Sequence, residues 1–165
     1  MRNFIIVFIS PLLSFSQIIT DPSTIEVDQT ITITVDINSD ESNCNGMNSP
    51  NKVYLHSGVG DDSDPWGYNV VGNWGMDDGV GEMSDNGDGT WSITFIPEEY
   101  YNLTPSQAST VTKMGLVFRS EDGSQELKDN GCSDFFLNIG AFQVTMINPN
   151  DGDAVSYTHL TLPTT

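Results

Sequence analysis

The chain has 165 residues and carries 23 acidic side chains against 5 lysines and arginines, for a formal charge of −18. A surface this negative repels phosphate backbones and anionic lipid, which excludes nucleic-acid and membrane-surface roles and suits a neutral polymer, a cation or a salty medium. Of the two histidines, His159 lies in a C-terminal tail unlike the rest of the chain, so His56 with two cysteines supplies too few ligands for a zinc site and no credible Ser-His-Asp set.

The N-terminus has Arg2, an apolar run from Phe4 to Ile9, Leu12-Leu13 and the small-x-small pattern Ser14-Phe15-Ser16. This predicts a signal peptide over 1–16 and a secreted protein. The run is shorter than the roughly 20 apolar residues of a membrane helix, so a retained helix is the disfavoured alternative. No cysteine lies near the cleavage site to take a lipid anchor.

One domain is expected over 17–147. Its clearest strand is Thr30 to Ile37, where Ile31, Ile33, Val35 and Ile37 alternate with polar residues. Shorter strand signals follow at Lys52–Ser57, Thr90–Ile96, Lys113–Arg119, Asp134–Ile139 and Ala141–Ile147. Turn dipeptides separate them: Asn45-Gly46, Asp78-Gly79, Asn86-Gly87, Asp88-Gly89, Asp122-Gly123 and Asn130-Gly131. Helix is confined to short turns at Glu98–Asn102 and Ser106–Thr110, after Pro97 and Pro105. Short alternating strands without a 3.6-residue period predict an all-β fold, an immunoglobulin-like two-sheet antiparallel sandwich with long Gly/Asp-rich loops. Cys44 and Cys132, an even pair in an exported chain, are expected to form a disulfide, with two free thiols as the alternative. Closing so long a loop would contribute roughly 4–5 kcal/mol before strain.

All three tryptophans fall in one glycine- and aspartate-rich stretch, between Val53-Tyr54-Leu55-His56 and Asp88-Gly89-Thr90-Trp91. Trp91 alternates with Ile93 and Phe95 on an apolar face, which assigns it to the core. Trp66 follows Pro65, and Trp74 sits in Gly72-Asn73-Trp74-Gly75. Flanking glycines leave an indole face uncovered, so these two are candidates for stacking on a sugar ring, capping of the sandwich end being the alternative. The weakly positive C–H face of a pyranose packs on the negative π-face of an indole. Tyr54 and His56 share one strand face and are candidates to extend the platform, as is Tyr68 in the same loop. Asp61, Asp62 and Asp64 invite calcium, whose hard ion takes carboxylate oxygens. The helix-loop-helix calcium pattern is absent, however, and solvated turn residues are the plainer reading. Acid pairs suited to glycoside hydrolysis arise by chance among 23 carboxylates, so no residue is assigned a catalytic role.

Taken in order, the Ile-Thr-Ile-Thr strand, Val53-Tyr54-Leu55-His56-Ser57-Gly58, Gly72-Asn73-Trp74-Gly75, Asn86-Gly87-Asp88-Gly89-Thr90-Trp91-Ser92-Ile93-Thr94-Phe95, Gly115-Leu116-Val117-Phe118-Arg119 and Asp122-Gly123 resemble a known module. It is the N-terminal module of secreted alpha-amylase-like glycoside hydrolases of the Bacteroidetes type, within the wider class of immunoglobulin-like starch-binding modules. The likeness covers about Ile18 to Ile147. It implies an alpha-glucan ligand and a catalytic barrel in cis beyond this piece. Residues 148–154 read as a linker or the start of another module, and 155–165 resemble translated sequencing-adapter read-through, a natural Thr/Leu-alternating strand being the alternative. The expectation is a non-catalytic carbohydrate-binding module for polysaccharide, with no cofactor or else calcium. The competing reading is a calcium-stabilised structural spacer or adhesin-type domain.

Overall fold

The computed structural model describes residues 17–38 and 46–140. The expected signal peptide, Cys44, the strand at Ala141–Ile147, the linker and the tail lie outside the described residues. No free cysteine is found among those that are described.

The chain is an all-β sandwich of two antiparallel sheets. The first sheet runs β1 (Ile18–Asp21), β2 (Ile31–Asp36), β6 (Thr90–Phe95) and β5 (Ser84–Asp85), in that spatial order. The second runs β4 (Asn69–Val71), β3 (Val53–Gly60) and β7 (Lys113–Ser120). Two short strands share the far edge of β7: β9 (Phe135–Asn138) beside Lys113–Leu116, and β8 (Glu126–Leu127) beside Phe118–Arg119.

Alternation dictates which face of each strand is buried. On β2, Ile31, Ile33 and Val35 are fully buried, opposite Phe95, Ile93 and Trp91 of β6. Trp91 is 7% exposed and belongs to the core, as its alternation with Ile93 and Phe95 predicts. The second sheet contributes Val53, Leu55, Val59, Met114, Leu116 and Phe118 to the same cluster. Burying each such side chain contributes roughly 1.5–3 kcal/mol, so these two inner faces hold the sandwich together. A polar tie crosses the core, in which the buried Tyr101 hydroxyl donates to Ser57 Oγ at 2.7 Å.

The turns also follow from their residues. Gly87 and Gly89 take φ of 81° and 90°, a left-handed conformation that side chains with a Cβ resist. Asp85 and Asp88 accept from the backbone N–H two residues on, closing the tight connection into β6. Among the described residues α-helix is limited to α1 (Pro97–Tyr100) and α2 (Pro105–Ala108), with one 3-10 turn at Asn130–Cys132. Each α-helix begins on proline, and α2 has a Thr104–Gln107 capping box.

The side of β3 away from β7 is covered in two pieces. β4 pairs with Ser57–Val59. The chain then leaves the sheet for residues 72–80 and returns, with Gly81 O accepting from Leu55 N at 2.7 Å and Met83 N donating to Val53 O at 2.9 Å. The excursion carries Trp74 over the outer face of the second sheet.

Candidate functional site

The outer face of β3 and β7 carries Tyr54, His56 and Gly58 opposite Arg119, Val117 and Gly115. Gly58 and Gly115 are direct cross-strand partners and lack side chains, so together they form a shallow floor. Trp66 fills it. A Cβ placed on Gly58 would lie 2.4 Å from Trp66 Cε3, and one on Gly115 would lie 2.5 Å from Cε2 and Nε1. The indole therefore lies flat across both strands, with its opposite face turned away from the sheet.

The loop that delivers Trp66 is built by the aspartates. Asp61 Oδ1 accepts from Ser63 N at 2.8 Å, Ser63 Oγ at 2.6 Å and Asp64 N at 3.0 Å. Asp64 Oδ1 accepts from Trp66 N at 3.2 Å. The Ser63 hydroxyl and the two backbone N–H groups hold the Asp61 carboxyl below the usual carboxylate range. Asp62 points elsewhere, to Lys113 Nζ at 3.5 Å. Of Asp61, Asp62 and Asp64, for which turn residues are the plainer reading and calcium the sharper one, Asp61 and Asp64 accept from backbone N–H groups in local turns. Among the described residues no group of three or more His, Cys, Asp or Glu side chains is placed to hold a metal ion.

His56 links the two candidate tryptophans. Its ring stacks beside Trp66 with centroids 5.8 Å apart and planes 27° apart. Trp74 meets it edge-on at 5.4 Å and 88°. The plane of Trp74 is therefore steeply inclined to that of Trp66. Trp74 is 47% exposed and rests one edge on Gly123, where a Cβ would lie 2.9 Å from its Nε1. His56 Nδ1 lies 3.0 Å from Gly72 O. A carbonyl can only accept, so Nδ1 carries the proton and Nε2 keeps its lone pair.

Burial lowers the His56 pKa, and the nearby Arg119 charge adds to this against the opposing Gly72 carbonyl and Asp134. A base whose folded pKa is depressed stabilises the fold above its unfolded pKa, and that stability is lost as pH falls. Melting temperature is accordingly expected to drop as pH falls below about 6.5. His56→Asn, which retains a donor for Gly72 O, is expected to flatten this decline. Thermal melts of the two proteins across that range check it.

Tyr54 and Tyr68 do not join this surface. Tyr54 is fully buried, with the Arg119 guanidinium 4.4 Å above its ring centroid. Its hydroxyl donates to Asp77 and, at 3.0 Å, to Glu82, and both carboxylates also hold Lys52. Burial first, then these two carboxylates, push the Tyr54 phenol up to about 12. Tyr68 packs against the core and shares a hydrogen bond with Thr110 Oγ1 at 3.0 Å. Alternation placed Tyr54 on the correct face, but the returning loop covers it.

Sequence reading missed Arg119 and the paired glycines. Arg119 is fully buried. Its Nη1 donates to Ser120 O at 2.9 Å and Glu121 O at 3.2 Å, and its Nη2 to Asn73 O at 2.7 Å and Met76 O at 3.0 Å. The signal for the floor was present, since an isolated glycine inside a strand marks the close approach of another group. Gly58 and Gly115 each fit that rule.

The platform is completed by its neutral surroundings. Val70 and Phe136, 51% and 50% exposed, pair with Gly58 and Gly115 respectively and so flank Trp66 in one row across four strands. No helix among the described residues is long and apolar enough to cross a membrane. No protein-family model matches this sequence, and no curated protein matches it.

Proposed function

We propose that this chain is an exported, non-catalytic carbohydrate-binding module whose ligand is a starch-like alpha-glucan. The observation that supports this reading best is the pair of tryptophans inclined about His56, one flat on a glycine floor and one standing on the loop above. Each offers a π-face on which the C–H face of a sugar ring can pack, a contact of roughly 1 kcal/mol or more by analogy with other aromatic pairs. A flat ribbon of coplanar pyranoses cannot stack on both planes together. A chain whose successive rings turn, as alpha-linked glucans do, can. The strongly negative charge of the chain disfavours anionic polymers.

In its parent the module would tether an appended hydrolase to polysaccharide, as the resemblance to alpha-amylase-type proteins implies. The test is affinity electrophoresis in gels containing soluble starch, laminarin or xylan. Starch is expected to retard the protein, and Trp66→Ala with Trp74→Ala to abolish retardation while circular dichroism stays native. Equal mobility of the unaltered protein in all three gels and in a blank gel would overturn the proposal.

A further inference from the structure

A buried cation lies directly beneath the loop that carries Trp74. Arg119 has no acidic partner among the ion pairs of the described residues. Instead its two terminal nitrogens grip four backbone carbonyls. Two of them, Asn73 O and Met76 O, bracket Trp74 and Gly75. The other two, Ser120 O and Glu121 O, belong to the end of β7 and its turn, which leads to Gly123 against the edge of Trp74. The planar guanidinium lies over Tyr54, which fixes its orientation, and a rigid fork loses little freedom in making several bonds at once.

We propose that Arg119 is the positioning residue that sets the inclination of Trp74 to Trp66, and so selects curved over flat glycans at this face. The proposal rests on the carbohydrate reading for its second half; the positioning of Trp74 stands on the geometry alone. The loop makes only local bonds of its own near the indole, Met76 N to Asn73 O at 3.2 Å and Asn73 Nδ2 to Asp78 Oδ2 at 2.7 Å. These close a turn without attaching it to the sheet. His56 ties the loop to β3 at Gly72, and Tyr54 and Lys52 tie it at Asp77. Arg119 supplies the attachment between those two points, at Asn73 and Met76 on either side of the indole, and lysine cannot replace it, because one ammonium on a flexible stem does not span four divergent carbonyls.

The experiment compares Arg119→Lys and Arg119→Met with Trp74→Ala and the corresponding double variants. Two readouts are taken: starch retardation, and acrylamide quenching of the Trp74 emission, obtained as the difference between proteins with and without Trp74→Phe. Both Arg119 variants are expected to raise Trp74 quenching and to lower retardation to the Trp74→Ala level. Adding Trp74→Ala is expected to cause no further loss, because residues acting through one another are not additive. Should Arg119→Met fail to fold, Arg119→Lys keeps the buried charge and gives the same readouts. Unchanged Trp74 quenching in Arg119→Lys overturns the proposal, as does full additivity with Trp74→Ala. If no glycan retards the unaltered protein, the carbohydrate reading fails separately, and the quenching comparison still decides whether Arg119 positions Trp74.

Discussion

Gly115→Ala is expected to detach Trp66 from the sheet, destabilise the protein by about 1–3 kcal/mol and abolish starch retardation. The sign results from two opposed effects. Replacing a strand-interior glycine ordinarily stabilises, by roughly 0.5–1 kcal/mol, because the unfolded chain loses freedom. Here the new methyl would sit 2.5 Å from Trp66 Cε2 and Nε1 and 2.8 Å from Cζ2. No ring tolerates such contacts, and overpacking of this kind costs about 1–3 kcal/mol. The clash is with a whole indole held by a short loop, so the ring must lift rather than swing aside, and overpacking wins. Urea melts, together with a red shift of tryptophan emission, read the effect. A double-mutant cycle makes the argument specific: in a Trp66→Ala background, Gly115→Ala is expected to be neutral or stabilising. A destabilisation of the same size in both backgrounds would mean that the glycine serves the strand and not the indole.

The case also marks how far the sequence could be read. Alternation identified the core face of β2, the burial of Trp91 and the separation of Val53 and Leu55 from Tyr54 and His56, because a period of two is local and each face has one environment. The floor under Trp66 depends on the register of two strands about sixty residues apart, so that Gly58 faces Gly115; no local pattern encodes that pairing. The short strands β1, β4, β5 and β8 carried no pattern long enough to read. For the aspartate-rich loops turn residues are the plainer reading and calcium ligands the sharper one. Asp61 and Asp64 accept from backbone N–H groups two or three residues away, a pattern that their spacing permits but composition alone does not assign to particular carboxylates. Arg119 escaped notice because a charged residue near a strand end is usually solvated, whereas here the loop of residues 72–80 closes over it.

Tyr54 provides the sharpest separation between a ligand contact and a structural anchor. Tyr54→Ala is expected to cost about 3–5 kcal/mol, the range for removing a large buried aromatic. It also strips the ring from beneath a buried guanidinium and leaves that cation with no face to rest on. Tyr54→Phe keeps the ring and removes only the hydroxyl. Bonds to charged acceptors contribute roughly 1.5–3 kcal/mol, and Asp77 and Glu82 are partly exposed, so a loss near 1.5 kcal/mol is expected. Starch retardation of Tyr54→Phe should match the unaltered protein, since Arg119 still holds Trp74. A sugar contact through the phenol would reverse this pattern, with binding lost and stability kept. The pH profile gives an independent check. The folded phenol titrates at about 12 against 10.0 for the free group, so its contribution is complete below pH 10 and is lost as pH rises through the interval. Lys52 and then Tyr54 hold the Asp77 carboxyl below its usual range, so its contribution is present above the ordinary carboxylate pKa and lost on further acidification. Tyr54→Phe removes its own share of the alkaline limb, to which the buried Tyr101 and the half-buried Tyr100 also contribute, and shallows the acid one, which chemical denaturation across the pH range would register.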